Sequence, residues 1–318
     1  MPAPGAGGPA TAAAPYASGV KLLVPAHLGG PTVAPLQLAP LALAAILYAQ
    51  RARTLSREGR APAAWRQWCF HGGLALIAVT LISPLGHVSD ELLAAHMAEH
   101  LLIADLAALF IVLGLTGPLI APLLRIGVLG ALRRLSHPAV AFALWAVDLY
   151  LWHLPGPYQA AIHHAGVHAL EHAMFVGLGI NMWMPLFGPL PTPEWFGNFA
   201  RLVYIIAVRL TGAVLGNIFV WSGHVFYPTY ARGEAFWGIS HLADQTTAGA
   251  IMMVEGSILT LCLFAWLFLR AAREGEERQE LLDLARQRGV ELSEARAARA
   301  VHAGHGAELR RRLSGPAG

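Results

Sequence analysis

Residues Leu92–Leu115 read LLAAHMAEHLLIADLAALFIVLGL. Only His96, Glu99, His100 and Asp105 interrupt the apolar run. As a helix rising 1.5 Å per residue it spans about 36 Å, enough to cross a hydrocarbon core of about 30 Å. Lipid offers no partner for backbone N–H and C=O groups, so such a segment satisfies them internally and is helical.

The rest of the chain supports a membrane reading. Of 318 residues, 56% are hydrophobic and 13% charged, the latter about half the globular share. The mean hydropathy is +0.51. This excludes disorder, a coiled coil or a disulfide scaffold over most of the length. The formal charge of +3 and a pI near 9.1 do not indicate nucleic acid, because the arginines sit in particular loops and one tail. Cys69 and Cys262 lie in separate apolar runs and form neither a CxxC nor a disulfide framework.

Seven apolar segments are expected: Pro35–Ala52, Trp68–Leu85, Leu92–Leu115, Ala139–His153, Val167–Phe187, Leu202–His224 and Asp244–Leu269. They predict an all-α polytopic membrane bundle with seven transmembrane helices. Residues 1–34 read as a flexible Ala/Pro/Gly-rich extension, 35–270 as the seven-helix membrane domain, and 271–318 as a charged helical tail. Arginine asymmetry sets the orientation. Arg51, Arg53, Arg57, Arg60 and Arg66 fill the first loop, Arg125, Arg133 and Arg134 the third, and the tail is arginine-rich. The alternate loops are nearly bare of arginine. The N-terminus is therefore expected outside, and the C-terminus and tail in the cytoplasm.

Fifteen histidines are an excess, and two copies of one motif organise them. His96-Met97-Ala98-Glu99-His100 and His168-Ala169-Leu170-Glu171-His172 are both H-x-x-E-H. On a helix, positions i, i+3 and i+4 share a face, so each copy aims two imidazoles and a carboxylate the same way. The predicted topology brings both copies to the outer leaflet. His153, His224, His241, Asp244, and His163 and His164 in a loop are expected in the same layer. His27, His71, His87 and His137 read as ordinary interfacial histidines, and His302 and His305 as too isolated for a metal site.

Paired i, i+4 imidazoles make a metal platform. Imidazole suits Cu, Zn, Fe and Ni, and thioethers favour Cu(I). Met97, Met174, Met182, Met184, Met252 and Met253 in the apolar segments tilt the choice toward copper. The metal candidates are His96, His100, His168 and His172, with His153, His224, His241 and Met252 as additions. Glu99, Glu171 and Asp244 would orient imidazoles or set local charge. Two rivals stay open. H-x-x-E-H also matches a zinc metalloprotease pattern, and histidines on two helices at one depth could hold a haem. Among the other intramembrane charges, Arg209 is expected to pair with Asp105 or Glu255. Asp148 is a candidate support for His153. Gly212 and Gly216 form a GxxxG.

Four blocks in order resemble the bacterial cytochrome c oxidase assembly factor CtaG family. They are His96–Leu102; Trp152-His153-Leu154-Pro155 with Tyr158; His168–His172 with Phe175; and Asp244-Gln245 with Ala248-Gly249 and Met252. The chain departs from the family pattern at Glu99, where the family carries Gln. The resemblance implies a seven-helix, non-enzymatic protein of the bacterial cytoplasmic (inner) membrane that helps copper reach a haem-copper oxidase. Its implied partners are oxidase subunits, a periplasmic copper chaperone and the bilayer.

Overall fold

A computed structural model describes residues 35–126, 132–302 and 304–314; the expected extension at 1–34, with His27, lies outside them. Each expected apolar segment lies mainly or wholly within one long helix. These helices are α1 (Pro35–Arg57), α2 (Ala64–Ile82), α3 (Leu93–Gly114), α4 (Pro138–Trp152), α6 (Ala165–Phe187), α7 (Asn198–Trp221) and α9 (His241–Gln287). Shorter helices α5 (Pro155–His163) and α8 (Ala231–Trp237) connect them, and α10 (Glu294–His302) and α11 (Gly306–Ser314) follow. No strand occurs among the described residues.

Among the described residues three helices, α3, α7 and α9, are long and apolar enough to cross a membrane. The α4–α5 pair makes a fourth if its 71° bend is one broken span. Pro155 causes that bend: it has no N–H to donate, and it disfavours helical geometry at Leu154. The helix α6 falls short of the same apolarity because His168, Glu171, His172 and Asn181 lie on it. Arg51, Arg53 and Arg57 do the same for α1.

The outward faces suit lipid. On α7 the exposed side chains are Phe199, Val203, Ile206, Leu210, Val214, Ile218 and Trp221. Steps of three and four residues place them on one stripe, about 33 Å from end to end.

Close packing sets the positions of α3 and α9. Residues Leu101–Ala107 of α3 form a π-helical stretch. There Trp183 Nε1–H donates to the Asp105 carbonyl at 3.0 Å, and Gly179 of α6 leaves room for the Ala104 carbonyl, which a Cβ would strike. At the far end, Arg66 donates to the Leu113 and Leu115 carbonyls at 2.9 and 3.0 Å, satisfying carbonyls that a helix end orphans. Of the GxxxG pair, only Gly216 touches a neighbouring helix. A Cβ added to Gly249 of α9 would lie 2.5 Å from the Gly216 carbonyl oxygen, whereas Gly212 faces open space.

The intramembrane charges pair as expected. Arg209 donates two hydrogen bonds to Asp105, at 2.7 and 3.1 Å. Glu255 Oε2 is 3.8 Å away, and the guanidinium lies over Trp183.

Helix α9 does not end near residue 270. Its 47 residues extend about 70 Å, beyond any bilayer core. Leu281, Leu282, Leu284 and Ala285 form a narrow apolar stripe on this part of α9; Leu281, Leu282 and Ala285 are buried and Leu284 partly so, and α10, with Ala297 and Val301 buried, packs against α9. Glu280 and Arg310 pair across to α11.

Candidate metal centre

One end of the bundle collects the motif residues. Leu93 N–H and Ala94 N–H at the start of α3 donate to the Asp244 carboxylate at 2.7 and 3.0 Å. The start of α9 is thereby fixed to the start of α3. Tyr227, beyond α7, donates through its hydroxyl to the His153 carbonyl at the end of α4, at 2.6 Å. The Gln245 side chain accepts from Phe226 N–H at 3.0 Å and donates to the His224 carbonyl at 3.0 Å. It thus ties down the loop after α7.

Within this frame the two H-x-x-E-H turns face each other. Ring centroids of His96 and His100 lie 4.2 Å apart, as do those of His168 and His172. Across the gap, His96 lies 5.6 Å from His168, and His100 lies 5.3 Å from His172. Single donor atoms of His96, His100, His168 and Glu171 all fall within 4.8 Å of one another. Glu171 Oε2 is 3.9 Å from His100 Nε2. His96, His100, Glu171 and His172 are buried, and His168 is partly exposed, so His168 forms the outer edge of the cluster.

The donors have few protein partners. Both ring nitrogens of His96 and of His100, Nε2 of His168 and of His172, and both oxygens of Glu171 have no hydrogen bond. Unmade bonds at buried polar atoms cost about 1–3 kcal/mol each. Three imidazoles and a carboxylate around one point suit a borderline cation such as Zn²⁺ or copper, and poorly suit Ca²⁺ or Mg²⁺. The donor set therefore fits a transition metal.

The other expected residues take different positions. His153 borders the cluster: its Nδ1 contacts the Leu149 carbonyl at 2.6 Å, and Nε2 meets Met97 Sδ at 3.4 Å. Its ring partner is thus a backbone carbonyl and not Asp148, whose oxygens are buried without a hydrogen bond. Met252 is buried in the apolar cluster that also holds Met97, Tyr158 and Tyr230. Glu99 is buried beside His100 in sequence but is outside the converging set. His224 and His241 are exposed and stay apart from the cluster. His241 Nδ1 pairs with Glu234 of α8, whose carboxyl burial pushes above its ordinary range. Asp244 serves the site by holding the backbone of α3.

Several neighbours carried no metal-ligand signal in the sequence. Tyr158 and Tyr230 share a 2.6 Å hydrogen bond, and Tyr158 stands beside His96. Phe175 lies 4.8 Å from His100, and Gln37 Oε1 lies 3.5 Å from His172 Nδ1. Tyr158 and Phe175 do belong to the sequence blocks that carried the resemblance.

The fold and the site together define a helical protein with spans suited to a membrane and a buried His/Glu cluster at one end of the bundle. The family model for the cytochrome c oxidase caa3 assembly factor (Caa3_CtaG) matches residues 46–274. The chain belongs to that family. The match contains all of the cluster and every helix from α2 to α8. Searches of curated proteins and of solved structures return no match.

Proposed function

We propose that this assembly factor handles copper for a haem-copper oxidase through His96, His100, His168 and Glu171, with His172 and the His153–Met97 pair alongside. The observation that carries this reading is the convergence of these unpartnered donors within 4.8 Å. Copper is cargo here. Open imidazole and carboxylate donors, with one histidine at the edge, suit a carrier that releases its ion better than a closed cysteine cage does.

In the proposed arrangement α1, α2, α3, α4, α6, α7 and α9 are seven spans of a multi-pass bacterial inner-membrane protein. The N-terminus is outside, and α10 and α11 are in the cytoplasm. Arg51, Arg66, Arg125 and Arg133 at the end away from the histidines agree with this orientation. The cluster then opens toward the compartment where an outer copper chaperone and oxidase subunits meet it. The protein acts without catalysis of its own. A haem is the weaker reading, because each turn presents two imidazoles at i and i+4 that make a compact ion platform, whereas axial ligation takes one histidine per helix at each level.

Metal content and the visible spectrum of detergent-purified protein test the reading. Wild type loaded under reducing, copper-replete conditions is expected to hold copper, and His96→Ala/His100→Ala/His168→Ala to lose it. A Soret band, or zinc retention with peptidase activity abolished by Glu171→Gln, would replace the proposal. Absence of any bound metal would leave a scaffold role only.

A further inference from the structure

The end of the bundle away from the histidines holds two adjoining cavities. The larger, about 530 Å³, lies among α1, α2, the end of α3 and α6. Leu47, Phe70, Leu119, Gly177, Ile180 and Met184 are among its walls, and its volume is in the range of small-molecule sites. Polar groups at its edge are already engaged. Tyr48 hydroxyl donates to the Gly114 carbonyl, Arg51 to the Pro118 carbonyl, and Ser136 to Asn181 Oδ1. What the cavity offers an occupant is therefore an apolar surface.

The smaller cavity, about 310 Å³, shares Ile120, Leu124 and Leu190 with the larger one. Arg125 and Arg133 line it, and neither lining contains an acidic residue. An apolar slot thus runs into a pocket with two cations at the level where α3 ends. The matching chemistry is one molecule with a long hydrocarbon chain and an anionic head. Basic pockets between membrane helices bind such headgroups.

The geometry points to a binding site for an anionic phospholipid from the surrounding bilayer, with an acyl chain in the larger cavity and its phosphate against Arg125 and Arg133. Charge complementarity selects this occupant over a zwitterionic lipid. The apolar slot selects it over a free phosphate. The site is separate from the histidine cluster and does not depend on the copper reading.

Native mass spectrometry of the full chain in detergent, titrated with phosphatidylglycerol or phosphatidylcholine, tests it. Each arginine beside a headgroup of net negative charge contributes about fivefold in affinity, about thirtyfold for two, a gain that the choline cation of a zwitterionic lipid cancels. Phosphatidylglycerol is expected to bind about thirtyfold tighter than phosphatidylcholine, and Arg125→Ala/Arg133→Ala to remove that preference. A second variant, Gly177→Leu, fills the slot; a Cβ at Gly177 meets nothing within 4 Å, so the side chain enters open space. It is expected to weaken both lipids and needs no arginine change. Equal binding of the two lipids by wild type would overturn the proposal. So would a preference retained in the double variant, lipid binding unchanged in Gly177→Leu, or glycerol 3-phosphate binding as tightly as the lipid.

Discussion

Replacing Asp105 by Leu removes the acceptor of both hydrogen bonds that Arg209 donates, at 2.7 and 3.1 Å. The guanidinium stays in a site where its side chain is 10% exposed, with Glu255 at 3.8 Å as its remaining acid. Breaking a buried pair from one side costs about 3–5 kcal/mol, because the surviving charge is left uncompensated. Glu255 offsets part of that, so Asp105→Leu is expected to lose about 3 kcal/mol. Arg209→Met leaves two acids facing each other and is expected to lose at least as much. The two single losses then sum to about 6 kcal/mol or more. An apolar replacement of both partners is often neutral, so Asp105→Leu/Arg209→Met is expected within about 2 kcal/mol of wild type. Denaturant unfolding in micelles, followed by helical circular dichroism, supplies the cycle. A cost below about 1 kcal/mol for Asp105→Leu, or additive losses in the double variant, would refute the reasoning. Either result would mean that the pair is hydrated in the membrane-bound protein and that packing alone holds α3 to α7.

Three further outcomes are expected. Asp244→Ala should cost about 1 kcal/mol by leaving Leu93 N–H and Ala94 N–H without their acceptor, and Asp244→Asn less; equal losses on thermal unfolding would argue against the cap. Gly249→Leu should destabilise by about 1–3 kcal/mol through overpacking, since even a Cβ added there would lie 2.5 Å from the Gly216 carbonyl; an unchanged melting curve would mean that α7 and α9 part freely. Glu171→Gln should weaken metal binding measured by competition with a chelator, whereas Glu99→Gln should leave it unchanged; the reverse pattern would move the carboxylate ligand to Glu99.

The motif was legible because three and four residue spacing is a property of one helix. His96, Glu99 and His100 share a face whatever surrounds them, and the same holds for His168, Glu171 and His172. That the two faces meet could be argued only from topology, and the 5.3 to 5.6 Å cross-distances depend on packing at Gly179. Glu99 and Glu171 occupy equivalent motif positions, yet only Glu171 joins the converging donors; rotation of each helix decides this, and the motif carries no record of it. His241 looked like a ligand because it opens α9, but a nearer acid, Glu234 of α8, takes it. For the His153 ring, sequence alone points to the Asp148 carboxylate five residues before it. The carbonyl of Leu149, one turn back, is the nearer acceptor. The long course of α9 was missed because the change from apolar to charged residues near Arg270 marks a membrane boundary and not a helix end.

The placement of Asp244 has an electrostatic consequence for whatever ion comes to the histidines. A helix start carries roughly half a positive charge, spread over its free N–H groups. The cluster begins only three residues into α3, at His96, so a cation lodged there would be repelled by the helix that supplies two of its ligands. The Asp244 carboxylate, seated on the first two N–H groups of that helix, cancels this field at its source. The first turn of α3 can then hold metal ligands at a position where helices ordinarily attract anions.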